Sequence, residues 1–180
     1  PIIALFCNII VVSGNSIKYM RSGDLNFKFL SSYLIGSIPF SFLGASISIP
    51  KDLFETLLFV VLIIAGILLL IESKSFNKNK IKINQIPKII SIFIGSIIGF
   101  TSGIVGIGGG IFLSPILFLI KAGYPKQIAA SASLFILINS IFGVVGQLSK
   151  EIVINEFLNY WPLFIAVFMG GNSDFLENAV

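Results

Sequence analysis

The residues best suited to chemistry lie in one stretch, residues 99–115, GFTSGIVGIGGGIFLSP. Four closely spaced glycines, Gly106, Gly108, Gly109 and Gly110, are flanked there by the hydroxyls of Thr101, Ser102 and Ser114. Glycine leaves backbone N–H groups uncovered, and a helix starting beside such a loop aims further N–H groups and its positive dipole end at it. That combination binds an anion through neutral donors. Ser131, Ser133 and Asn139 follow on the next apolar run and add two hydroxyls and an amide. Each residue also has a plainer role. Ser102 and Ser114 can bond back to their own helix carbonyls, Ser131 and Ser133 can simply pack, and Asn139 can tie helix to helix.

The elements that position these residues follow from charge spacing. The glycines interrupt an uncharged run over 89–120, 32 residues long. A straight helix of that run would span roughly 48 Å, whereas the hydrocarbon core of a bilayer is about 30 Å. The run is too long for one crossing and short for two. It predicts a helix that breaks within the membrane, unwinds over 106–110 and restarts near Ile111, with Pro115 in the early part of the new helix. Lipid cannot satisfy the freed backbone groups, so such a segment must be buried in protein or face a polar cavity. Discontinuous helices of this kind form substrate sites in transporters. Close helix packing is the competing role for the glycines.

Composition sets the class. The chain has 180 residues, 56% hydrophobic and 11% charged, and its mean hydropathy is +1.01. Soluble domains are about 25% charged, so this is an integral membrane protein. The net charge of +4 bears on loop topology and not on nucleic acid, for which no role is expected. With no histidine and Cys7 as the one cysteine, Cys/His metal sites, disulfides and Ser–His or Cys–His catalytic pairs within the chain are excluded. No enzyme activity and no cofactor are expected. GIVGIGGG is not a dinucleotide loop, because Ile111 follows Gly110 where G-x-G-x-x-G fails, and the setting is a membrane helix.

Uncharged runs mark the spans as 1–17, 29–50 with Pro39 inside, 56–71, the interrupted run, 127–149 and 157–173. Lys51, Asp52 and Glu55 read as a short loop. Residues 72–88, with five lysines and one glutamate, read as a polar linker. Ser91, Gly95, Gly99 and Gly103 recur every fourth residue, a small-residue face for close helix packing. Residues 4–30 weakly resemble 133–158, which suggests an internal repeat. The division expected is 1–71 for the latter part of one repeat, 72–88 for the linker, 89–173 for most of a second repeat, and 174–180 for a tail. Beginning at Pro1, the chain reads as an internal fragment of a longer protein. Lysine and arginine placement puts 18–28 and 72–88 in the cytoplasm, with 121–126 joining them if 111–120 turns back toward that side and 150–156 then outside.

GFTSGIVGIGGGIFLSPIL followed by AGYPKQIAASAS resembles the sulfite exporter TauE/SafE family. Gly99, Ser102, Gly103, Gly106, Gly108, Gly109, Gly110 and Pro115 fit its glycine signature, and residues 129–133 fit the element after it. The repeat-one copy of that signature is absent, and the end NSDFLENAV does not continue the pattern. The resemblance implies an all-α, polytopic transmembrane bundle of two pseudo-symmetric repeats in the cell inner (plasma) membrane, a permease for sulfite, sulfoacetate or a related sulfur anion. Its partners would be that anion and the bilayer lipid. A non-transporting membrane scaffold is the alternative. No acidic or basic residue lies well inside a span, so proton coupling would need Asp24, Glu55 or groups elsewhere in the protein.

Overall fold

A computed structural model describes residues 2–23, 25–75 and 86–149, together with 166, 167 and 170. It is a bundle of six helices with no strand among the described residues. The helices are α1 (Ile2–Ser22), α2 (Phe27–Ser46), α3 (Lys51–Ser75), α4 (Lys88–Val105), α5 (Gly110–Leu119) and α6 (Pro125–Leu148). Of these, α1, α2, α4 and α6 are long and apolar enough to cross a membrane.

Local chemistry explains most of the boundaries. Asn26 caps α2 by accepting from the Phe29 N–H at 3.2 Å, which satisfies one orphan donor of the first turn. Past Ser46 the helix ends, with Ile47 extended and no regular structure over 47–50, and Pro50 disfavours helix at the residue before it. The second span is therefore shorter than the uncharged run 29–50. Lys51, Asp52 and Glu55, expected as a loop, instead form the first turns of α3, where Lys51 pairs with Glu55 at 3.7 Å. One helical turn brings i and i+4 together, and both side chains stay in solvent. The polar stretch 72–88 is narrower than its composition suggests, since α3 runs to Ser75 and α4 starts at Lys88. Its middle, 76–85, lies outside the described residues, as do the 150–156 loop, nearly all of the 157–173 span and the 174–180 tail. Proline at the first position of α6 has the right fixed φ and no N–H to leave unpaired.

Packing fixes the directions. Gly95 lies against Tyr33, Gly99 against Ser37 and Gly103 against Ser41, so α2 and α4 run parallel in constant register. At each of these glycines an added Cβ would meet the backbone carbonyl oxygen of the facing α2 residue. The four-residue glycine spacing thus lets two backbones touch. α6 runs the same way as α2, with Ser41 Oγ donating to the Asn139 carbonyl at 3.1 Å and Gly146 against Phe42 and Ala45. α1 runs antiparallel to α6, Leu5 packing on Gly143 and Asn8 reaching the segment beside Ser140.

α5 does not continue α4. It begins beside Ala132 and Ile136, partway up α6. The turn that follows it, residues 122–124, lines a cavity together with the starts of α2, α4 and α6. The chain therefore doubles back at residues 106–109, and α5 returns to the end of the bundle from which α4 set out. Arg21, Lys28, Lys88, Lys121 and Lys126 gather at that end, whereas Lys51 and Phe54 sit at the other with the last turns of α4 and α6. Tyr33, Ile98, Leu113, Leu117, Ile128 and Phe135 lie in the buried core. α3 joins it through Val61 and Ala65, while Phe59, Ile63, Ile67 and Leu70 point outward. An outward apolar face is what a lipid-facing helix presents.

Candidate functional site

The loop between α4 and α5 exists because three of its glycines take a conformation that other residues avoid. Gly106, Gly108 and Gly109 have φ of +77°, +78° and +75°, in the left-handed region where a Cβ crowds the following carbonyl. Gly106 ends α4 in this way, its N–H returning to the Ser102 carbonyl at 2.7 Å. At the other side, the Gly109 carbonyl accepts the first bonds of α5, from Phe112 N–H at 3.1 Å and Leu113 N–H at 3.2 Å.

Between these two bonds lies a run of donors. The N–H groups of Ile107, Gly108, Gly109, Gly110 and Ile111 make no hydrogen bond among the described residues. Successive N–H groups around left-handed glycines form concave cradles suited to anions. The loop is held from one side by Asn8, whose Nδ2–H donates to the Ile107 carbonyl at 3.0 Å across 99 positions of sequence. Gly108 lies beneath Ser140 and Ile136. Gly109 lies against Ile98, Phe135 and Ser102, and Gly110 against Ile136 and the Ala132 carbonyl.

Buried hydroxyls adjoin this backbone. Among the described residues Ser102 Oγ and Ser140 Oγ are buried without a partner, and so are Ser131 Oγ and Asn139 Oδ1. Native structures leave few such groups unpaired, and each unpaired one costs free energy unless something meets it. The described residues around the loop include no charged side chain, so its positive potential comes from backbone dipoles and hydroxyl donors.

The sequence-derived candidates divide accordingly. Ser102 stands at the loop with Gly106, Gly108, Gly109 and Gly110. Thr101 is committed elsewhere, its hydroxyl bonding to the Ile97 and Ile98 carbonyls at 3.0 and 3.1 Å. Asn139 is fully buried but spends its amide on the Phe135 carbonyl of its own helix at 2.9 Å, while its backbone carbonyl takes the Ser41 hydroxyl. Its role here is to join α6 to α2, with Oδ1, an acceptor, left over. The atoms nearest Gly108, Gly109 and Gly110 come from Asn8, Ile98, Ser102, Ala132, Phe135, Ile136 and Ser140. None comes from Ser114, Ser131 or Ser133. Ser131 is fully buried in α6, and Ser114 and Ser133 are half-buried.

Ser140 is the residue beside the loop that the sequence did not single out, whereas Asn8, an amide in an apolar span, raises from sequence the same question as Asn139. Ser140 sits next to Asn139 in an otherwise apolar run, a signal readable only once α6 is turned correctly. Asn8 lies in another helix altogether. Asn8→Leu leaves the part-buried Ile107 carbonyl unpaired and is expected to lower the thermal unfolding midpoint of the purified protein, by an amount equivalent to about 1 kcal/mol. Asn8→Gln is expected to recover part of it.

A profile of the sulfite exporter TauE/SafE family matches residues 1–172. The chain is 28% identical over 170 residues to the probable membrane transporter protein y4hK of Sinorhizobium fredii, a match covering 94% of this chain and 68% of that protein. It is 24% identical over 160 residues to the probable membrane transporter protein YunE of Bacillus subtilis, covering 78% of this chain and 58% of that protein. No solved structure gives a significant match. With a family profile spanning almost all of its length and a bundle of apolar helices built around a glycine loop, the chain belongs to the sulfite exporter TauE/SafE family of membrane transporters.

Proposed function

We propose that the glycine loop and the hydroxyls beside it form the substrate site of a permease for a small anion, a sulfur oxyanion or an organosulfonate, in the plasma membrane. One observation carries this reading above the others: five consecutive N–H groups and the buried hydroxyls of Ser102 and Ser140 meet around a loop with no partner for any of them among the described residues. A sulfonate or sulfite offers several acceptor oxygens and could engage those donors together. Neutral donors also suit release, because a buried fixed cation would bind the anion in a deep well. The loop follows the last turn of α4 and packs beside the middle of α6 at Ala132, Ile136 and Ser140, the kind of helix interruption that forms substrate sites in transporters. The end bearing Arg21, Lys28, Lys88, Lys121 and Lys126 would face the cytoplasm under the positive-inside rule.

The test is uptake of labelled sulfite into liposomes carrying the protein expressed from its complete reading frame, with sulfoacetate, sulfate and chloride as competitors. Saturable uptake competed by sulfoacetate is the expected result. Its absence with folded protein would overturn the substrate class. Ser102→Ala and Ser140→Ala are each expected to raise the apparent KM about tenfold with little loss of protein, since a hydrogen bond to a charged group contributes about 1.5–3 kcal/mol. A scaffold reading draws on the backbone contact of α2 with α4. It gives no account of unpaired donors at the loop.

A further inference from the structure

A second polar feature lies at the basic end of the bundle, apart from the glycine loop. A cavity of about 490 Å³ is lined by Asn26, Lys28, Phe29 and Ser32 of the α2 start, by Ile86, Lys88 and Ser91 of the α4 start, and by the turn into α6 with Tyr124 and Gln127. That volume is within the roughly 300–1,000 Å³ usual for small-ligand sites. Among the described residues its lining holds two lysines and no carboxylate.

Three helices begin around this cavity, and all three direct the positive ends of their dipoles toward it. α4 has the most to offer. Pro87 stands at its N-cap and has no side chain to accept from the first turn. The N–H groups of Lys88, Ile89 and Ile90 accordingly make no hydrogen bond among the described residues. Behind the wall, the fully buried Tyr33 hydroxyl lies beside Ser91. The Tyr33 ring packs at a tilt against Phe29 of the lining, centroids 5.3 Å apart. Ser91, itself only 4% exposed, lines the cavity with a long 3.5 Å bond to the Pro87 carbonyl. Two lysines, three dipole ends and free backbone donors all favour the same class of guest.

We infer that this cavity is an oxyanion-binding vestibule at the basic end of the bundle, formed by Lys28, Lys88 and the first turn of α4 and distinct from the glycine loop. It takes either a hydrated inorganic oxyanion or the phosphate of an anionic phospholipid. The inference stands whether or not the glycine loop carries a transported anion.

The experiment follows thermal unfolding of the full-length protein in neutral detergent. Sodium sulfate is titrated against sodium chloride at equal ionic strength, and phosphatidylglycerol against phosphatidylcholine. Sulfate strengthens apolar burial in any protein by exclusion from its surface, so the quantity read is the difference between wild type and K28Q/K88Q. That variant, altered at two exposed positions, is expected to match wild type without added anion. The sulfate concentration giving half the stabilisation is expected to rise about tenfold in it, and to stay unchanged in S102A/S140A. Loss of the phosphatidylglycerol response alone would assign the site to lipid phosphate and still support the vestibule. Equal responses of wild type and K28Q/K88Q to both anions would overturn it. The S102A/S140A arm keeps this outcome separate from any failure of the glycine-loop reading.

Discussion

Gly109→Val is expected to abolish saturable anion uptake in proteoliposomes while the protein still inserts and elutes as wild type does. Three effects add at this position. The φ of +75° is in the left-handed region, which costs an ordinary L-residue roughly 1–2 kcal/mol and a β-branched one more. An added Cβ lands 3.0 Å from Ile98 Cγ2, 3.0 Å from Phe135 Cε1 and 3.2 Å from Ser102 Cβ, before either valine methyl is placed. Relief requires moving α4 or α6, or expelling the loop, and any of these disperses the N–H cradle. Gly109→Ala should fall between wild type and valine. Gly110→Ala provides a different test, because Gly110 lies in α5 without a left-handed φ and its Cβ would run into the Ile136 side chain. Shortening that side chain in the double variant Gly110→Ala, Ile136→Ala should restore part of the uptake lost in the single one, whereas no trimming of neighbours restores Gly109→Val fully. Wild-type uptake by Gly109→Val would remove the loop from the transport path.

The second large effect is expected at the seam of α2 and α4. Gly95→Ala, Gly99→Ala and Gly103→Ala should each destabilise the protein by about 1–3 kcal/mol, the range for overpacking a well-filled interior. A Cβ at each site meets a backbone carbonyl, of Tyr33, Ser37 and Ser41 respectively. Backbone cannot rotate aside as a side-chain tip can, so the two helices must separate along their length. A packing role therefore does not make Gly95→Ala a benign control for the loop variants. Gly66→Ala is the better one, since nothing lies within 4 Å of its added Cβ on α3, and alanine is the stronger helix former. Unfolding in a titrated mixture of denaturing and mild detergents, followed by circular dichroism, should rank the seam variants below wild type and Gly66→Ala at or above it. Equal midpoints across all four would mean that the helices are held elsewhere.

Much of this architecture is legible in the sequence because the bilayer simplifies the problem. Long uncharged runs have few places to go, so the helical membrane class follows from composition alone, and the family follows from the spacing of the glycines. The periodicity of Gly95, Gly99 and Gly103 likewise announces a close helix contact, since four residues bring small side chains to one face. The partner helix is a different matter. Nothing in the α4 residues specifies α2, and the parallel match of Gly95 with Tyr33 and of Gly99 with Ser37 is a long-range fact.

The same limit governs the site. The glycines and Ser102 are neighbours in sequence and could be grouped from it. Ser140 and Asn8 arrive from helices whose rotation about their own axes is set by packing. Thr101 and Asn139 carry the right chemical groups, but local hydrogen bonds and that same rotation turn them to other work. Residues 51–55 are helix and not the expected loop because charge marks the membrane boundary without marking the helix end, and α3 begins outside the apolar run. The sequence by itself determined a helical membrane protein whose glycines interrupt its longest uncharged run. The tertiary structure alone decided that the chain doubles back there, which side chains surround it, and that three helix starts converge at the basic end, because those depend on contacts between residues far apart in the chain.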